Sequence, residues 1–187
     1  MPVRHGLSDI NTLRERARKH IEEGAVIDEY RADRAKVIEI LNEALATELV
    51  CALRYKRHYY TAHGLASLSV AEEFMEHAQQ ELDHADRFAK RISELGGEPN
   101  FSPHGLAERS HAEYVEGHTL TEMIREDLIA ERIAIESYRE IIEYIGNDDP
   151  TTKRLFEEVL AVEEEHAEDL VSLTSRLNRE EASRVPH

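Results

Sequence analysis

The chain has 187 residues, 41% hydrophobic and 33% charged, with a formal net charge of −16. That length suits one domain with a sizeable core, and the acidic balance argues against a nucleic-acid partner, which needs clustered lysine and arginine. No apolar run approaches the ~20 residues that span a bilayer, and the single Cys51 excludes an internal disulfide or a four-cysteine metal site.

Five helical segments follow from 3.6-residue periodicity. The first covers 8–23, with Ser8 as its N-cap and Gly24 as its stop, inside an N-terminal extension of residues 1–32. Its "RERARKH" cluster reads as an exposed helix face. The second covers 33–62, with Val37, Leu41, Ala44, Leu45, Ala52, Tyr55 and Tyr59 on one side. The third covers 69–95 and ends at Gly96-Gly97; its apolar face holds Phe74, Ala78, Ala85, Phe88, Ile92 and Leu95. The fourth covers 119–145, with Leu120, Ile124, Leu128, Ile135, Tyr138, Ile142 and Ile145. The fifth covers 151–177, with Leu155, Val159, Leu160, Ala167, Leu170 and Leu177, and residues 178–187 form a flexible polar tail. The "MPVRHGLSD" start has no apolar leader, so a cytoplasmic location is expected.

The connections set the topology. "HGLASL" and "GNDDP" are short, so each should close an antiparallel helical hairpin. The stretch between residues 95 and 119 is long enough to return along a helix, and a short helix is expected near 104–115. The predicted class is therefore all-α, with a four-helix bundle over 33–177 made of two hairpins joined by one long crossover.

Glu81 and His84 stand three apart in the middle of the third helix's apolar face, an odd place for a carboxylate and an imidazole. The Glu-x-x-His pattern alone is weak, because both residue types are abundant. It occurs at Glu81/His84, Glu108/His111 and Glu163/His166. The Glu108/His111 pair falls in the crossover, without a partner helix. The other two gain force from position. Glu48, Glu81, Glu131 and Glu163 each lie near the midpoint of a different bundle helix, at equal distances from the hairpin turns. Four carboxylates and two imidazoles should thus share one layer. Their uncompensated burial would cost several kcal/mol or more, whereas two divalent cations cancel four negative charges. Oxygen and nitrogen ligands without thiolate suit iron, manganese or zinc. The alternative, a set of interhelical ion pairs, finds no lysine or arginine at the inward positions of this layer.

Two tyrosines share these faces. Tyr55 follows Glu48 by seven and Tyr138 follows Glu131 by seven; their hydroxyls could bond the carboxylates, supply an electron, or simply be satisfied in the core. Asp127, four before Glu131, could orient a ligating histidine or face the surface. Cys51 reads as a small core residue.

"LNEALATELV", "ELDHADRFAKRISELGGEPN", "DLIAERI" and "EEEHAEDL", spread over residues 34–177, resemble the ferritin superfamily, especially bacterioferritin and the bacterioferritin-like group of Dps-type mini-ferritins. The resemblance implies ferroxidase ligands at Glu48, Glu81, His84, Glu131, Glu163 and His166, with Glu81 and Glu163 bridging two irons. It implies Fe(II) oxidation by peroxide or dioxygen, and iron storage and peroxide detoxification inside a hollow homo-oligomeric shell. Bacterioferritin binds haem through a methionine directly after the third-helix glutamate; Leu82 stands there, so no haem is expected. The short stretch after the last helix favours a 12-subunit shell over a 24-subunit one. The cysteine pair that some mini-ferritins carry near the site is missing, since Cys51 is alone. The alternative function is a dinuclear redox enzyme without storage, a rubrerythrin-like peroxidase or a manganese catalase. A third is a bundle whose metals only hold it together.

Overall fold

The structure is a computed structural model and describes residues 7–27, 29–62 and 68–184. Among these residues there are six α-helices and no strand. The four long ones are α2 (Arg34–Ala62), α3 (Leu68–Glu94), α5 (Leu120–Ile145) and α6 (Pro150–Arg184). The short ones are α1 (Ile10–Arg16) and α4 (Leu106–Arg109), and a 3₁₀ turn covers Ile21–Glu23.

The ends of the long helices follow from local chemistry. Asp33 accepts the Lys36 amide at 3.2 Å and opens α2. Thr119 and Glu122 form a reciprocal capping box at the start of α5. Asp149 accepts the Thr152 amide at 3.0 Å, and Pro150 leads α6, where a missing N–H costs nothing. At the end of α3, Gly96 takes a φ of +76° that side chains rarely adopt. Gly97 then donates back to the Ile92 carbonyl at 2.9 Å. A Cβ at Gly97 would stand 2.8 Å from Ile38 Cγ2, so the chain can turn tightly against α2 only without a side chain there.

Three expectations change. The segment 8–23 is not one helix. It is α1 followed by the 3₁₀ turn, and the N-cap is Asp9 rather than Ser8, because the Asp9 carboxylate takes the amides of Asn11 and Thr12 at 3.0 and 3.1 Å. With no buried residue of its own, α1 has no packing to extend it. The last helix continues to Arg184, so the first residues of the expected tail are helical. The helix of the crossover is shorter than expected, a single turn. The "HGLASL" connection covers residues 63–68, of which 63–67 lie outside the described residues and Leu68 opens α3.

Cross-helix pairs give the direction of each helix. Thr61 meets Met123, Tyr55 meets Glu131, and Glu48 meets Tyr138, so α2 and α5 are antiparallel. His77 meets Tyr55 and His84 meets Glu48, so α3 is antiparallel to α2. Gln80 meets His166, Arg87 meets Glu158 and Arg91 meets Thr152, so α6 is antiparallel to α3. The crossover is laced along α2 from one end towards the other. Asn42 accepts the Asn100 amide, Thr47 accepts the His111 amide, Arg54 donates to the Glu113 carbonyl, and His58 Nε2 meets the Glu116 carbonyl. These side chains are what return the chain to the end of the bundle where α5 starts.

Two large apolar blocks make up most of the core among the described residues, beside a small cluster of Cys51, Ala112 and Ala130. One holds Leu41, Leu45, Phe88, Ile92, Tyr138 and Phe156. The other holds Tyr55, Phe74, Met123, Ile124, Leu170 and Leu173. Between them lies a polar layer, sealed on both sides.

Candidate metal centre

Each bundle helix delivers its glutamate to that layer. Glu48, Glu81, His84, Glu131, Glu163 and His166 are all at most 2% exposed. The Nδ1 atom of His84 stands 2.9 Å from Glu163, 3.2 Å from Glu48 and 3.9 Å from Glu81. The Nδ1 atom of His166 stands 3.3 Å from Glu81, 3.4 Å from Glu163 and 3.8 Å from Glu131. Two four-residue groups result, Glu48/Glu81/His84/Glu163 and Glu81/Glu131/Glu163/His166, each with one ligand atom per residue within 4.8 Å of the others. Glu81 and Glu163 belong to both.

The side chains crowd around two shared points, with imidazole nitrogens as close as 2.9 Å to the carboxylates. Oε1 of Glu81, both oxygens of Glu163 and Nδ1 of His166 are buried and have no hydrogen-bond partner. Crowded buried carboxylates are costly groups, and two divalent cations would offset their charge. Four carboxylates and two imidazoles could hold two divalent ions of the iron, manganese or zinc type.

The electrostatics say the same. Burial, with Glu81 beside it, holds the Glu48 carboxyl well above its ordinary range. Burial, with Glu48 and Glu131 close by, lifts Glu163 to about 8. Burial acts against a charged imidazole at His84, but the carboxylates of Glu163, Glu48 and Glu81 outweigh it and raise His84 to about 12. His166 is raised in the same way, burial being outweighed by Glu131, Glu163 and Glu81. Burial pushes Glu131 up, yet His166, Glu163 and Tyr55 draw it down to about 2. Without cations, protons on the imidazoles and on some carboxyls balance the layer.

The tyrosines exchange partners across the bundle. Tyr55 of α2 donates to Glu131 of α5, and Tyr138 of α5 donates to Glu48 of α2. Each hydroxyl pins a carboxylate seven residues from the other tyrosine. Asp127 does something different from either expectation. It is fully buried and takes Arg54 Nε at 2.8 Å and His58 Nδ1 at 2.8 Å, neither of them part of the glutamate layer. Arg54 occupies the helix face nearest Cys51 and the crossover, so it reaches Asp127 before any ligating histidine does. The outer nitrogen of His166 instead meets Gln80 Oε1 at 2.6 Å, the outer-ring contact that fixes the orientation of a ligating imidazole. Sequence reasoning missed Gln80 and His77. His77 precedes Glu81 by one helical turn and stacks on His166, with ring centroids 4.0 Å apart. Its i,i+4 spacing was the available signal.

A helical bundle in which all four long helices contribute carboxylates, and two add a histidine one turn on, defines the class of dinuclear carboxylate proteins with the ferritin-like architecture. The chain belongs to the ferritin family, whose Ferritin-like domain matches residues 38–180. It is 33% identical over 147 residues to bacterioferritin of Rhodobacter capsulatus, covering 76% of this chain and 87% of that protein. A shorter stretch of 70 residues is 44% identical to bacterioferritin of Desulfovibrio desulfuricans, covering 37% of this chain and 39% of that protein. Among solved structures, the dodecameric thioferritin of Bacteroides fragilis, a bacterioferritin-related protein, superposes with a TM-score of 0.78 at 30% identity. That match covers 83% of this chain and 94% of the other. The bacterioferritin of D. desulfuricans, described with a diiron site in different catalytic states, gives a TM-score of 0.70 at 30% identity, covering 78% and 82%. No helix among the described residues is long and apolar enough to cross a membrane.

Proposed function

We propose that this protein is a ferroxidase and iron store. Glu48, Glu81, His84, Glu131, Glu163 and His166 hold two Fe(II) ions as substrate, with Glu81 and Glu163 between them. The observation that carries the reading is the pair of overlapping ligand groups sharing those two carboxylates, with their orphaned buried oxygens. Two Fe(II) become two Fe(III) as two electrons and two protons convert one hydrogen peroxide to two waters, or one dioxygen to hydrogen peroxide. Pairing the irons avoids the one-electron step that releases hydroxyl radical. Tyr55 and Tyr138 hold the carboxylates in register, Gln80 orients His166, and the two apolar blocks exclude bulk water. Leu82 offers no sulfur to a haem iron, and the proposal includes no haem.

The Fe(III) product is stored in a closed shell, for which twelve chains are proposed. The likeness to a dodecameric thioferritin supports that number. The test is to add two Fe(II) per chain anaerobically, admit peroxide or air, and follow the absorbance of oxo-bridged Fe(III) in the wild type and in Glu81→Ala. Rapid oxidation that needs Glu81, followed by uptake of many irons per chain, is expected. Turnover of peroxide with no retained iron would instead make this a dinuclear peroxidase.

A further inference from the structure

We infer that Glu73, His77 and Asp169 form a third divalent-cation site, distinct from the dinuclear centre and open to solvent between α3 and α6. Their ligand atoms all lie within 4.8 Å of one another. His77 Nε2 stands 3.8 Å from Glu73 Oε1 and 3.8 Å from Asp169 Oδ2. Those gaps are too long for hydrogen bonds. Ligands about 2.1 Å from a shared ion lie about 3.0–3.5 Å apart, so a small rotation of two partly exposed carboxylates closes the site.

Exposed acidic groups near a histidine are common on an acidic protein, and most hold nothing. What sets this group apart is the burial and the aim of His77. Its side chain is only 2% exposed, while Glu73 and Asp169 are 30% and 46% exposed. Its Nδ1 is engaged with the Tyr55 hydroxyl at 3.2 Å, one face stacks on His166, and the ring meets Tyr55 edge-on. Three contacts thus lock the imidazole with Nε2 facing the two carboxylates. That nitrogen makes no hydrogen bond among the described residues. A ligating histidine has this same arrangement, one ring nitrogen tied to the protein and the other free for the ion. Neither carboxylate has a lysine or arginine within ion-pair distance among the described residues; Arg176 acts on Glu73 only from further away. One nitrogen and two carboxylates, with remaining positions open to water, suit Mn(II), Fe(II), Co(II) or Zn(II).

The position gives the site a use. A cation there is one stacked imidazole from His166 and one tyrosine from Glu131, on the solvent side of the centre. It is a holding place between bulk water and the dinuclear centre, and it does not depend on which metal the centre takes.

The test is an anaerobic Co(II) titration by equilibrium dialysis with elemental analysis. The three ligand groups predict three Co(II) per chain in the wild type. Glu73→Gln/Asp169→Asn should hold two, and Glu81→Gln/Glu163→Gln should keep only one. A circular-dichroism melt checks that each bundle is intact, and Asp169→Asn alone repeats the count should the double variant unfold. Equal counts in the wild type and the intact Glu73/Asp169 variant overturn the third site and leave the dinuclear reading untouched. A wild type that holds one Co(II), lost in Glu73→Gln/Asp169→Asn and kept in Glu81→Gln/Glu163→Gln, would overturn the dinuclear reading and leave the third site standing. A crystal soaked in Mn(II) should show an anomalous peak beside His77 Nε2, and its absence also counts against the site.

Discussion

His84 and His166 each turn Nδ1 towards three carboxylates, and both are raised above the ordinary imidazole range. Below about 12 His84 carries its proton, and below about 8 so does Glu163. Metal ions need the neutral imidazole and the carboxylate. Filling the centre at neutral pH must therefore expel protons, and affinity must rise with pH, about tenfold per pH unit for each proton displaced. Calorimetric titration of the metal-free protein with Zn(II), in buffers of different ionisation enthalpy, should show net proton release. A buffer-independent heat would sink this account. Asp127 offers a second prediction. It is the anionic partner of Arg54 and His58 in a dry interior. Asp127→Ala leaves the guanidinium buried and unpaired, at a cost of about 3–5 kcal/mol in urea unfolding. Its metal count should not change. A loss below about 1 kcal/mol would mean that water or another group satisfies Arg54. The sequence left Asp127 between a ligating histidine and the surface, and named neither of its partners. Spacing along one helix shows which side chains point inward, not which residue of a neighbouring helix arrives opposite them.

At the scale of elements, the bundle was readable because four long periodic segments, two short links and one long one allow few arrangements. The six residues of the glutamate layer were readable for a related reason: symmetry about the hairpin turns sets helix height, and height is what brings them together. The N-terminal segment was not, because α1 buries nothing and its extent rests on capping alone. The short link between α5 and α6 was readable, but the partners of Asp149 within it were not, since they are far apart in sequence. Asp149 there caps α6 and also accepts Tyr30 OH at 2.8 Å and Arg91 Nη2 at 3.0 Å. Burial opposes its charge, but the Thr152 bonds, Tyr30 and Arg91 outweigh burial and hold its carboxyl below the ordinary range. A depressed carboxyl stabilises the fold above the unfolded-chain pKa of about 4, and the contribution fades as pH falls through the lower folded value. Asp149→Asn keeps an N-cap acceptor and loses the charge. Its stability deficit should be largest near neutral pH and shrink in acid. A deficit that stays constant from pH 7 to pH 3 would show that the charge of Asp149 contributes nothing.

At the scale of the whole molecule, chemistry and storage separate. Every residue of the proposed centre comes from one chain, so oxidation needs no neighbour, whereas a mineral needs an enclosed space. The formal charge of −16 per chain adds a long-range pull on Fe(II) that the proposed shell would concentrate. Salt screens that pull, from a range of about 10 Å at 0.1 M to about 3 Å at 1 M. Light scattering should give about 260 kDa for twelve chains of 21.5 kDa, and an iron-loaded sample of that mass should retain many irons per chain. Uptake of dilute Fe(II) should slow as NaCl rises, while oxidation of iron already bound at two per chain should not. A small oligomer that still oxidises two irons but retains no more would remove storage from the proposal and leave the centre's chemistry in place. An uptake rate indifferent to salt would mean that Fe(II) arrives by contact with local sites such as Glu73, His77 and Asp169, and not through the field of the assembly.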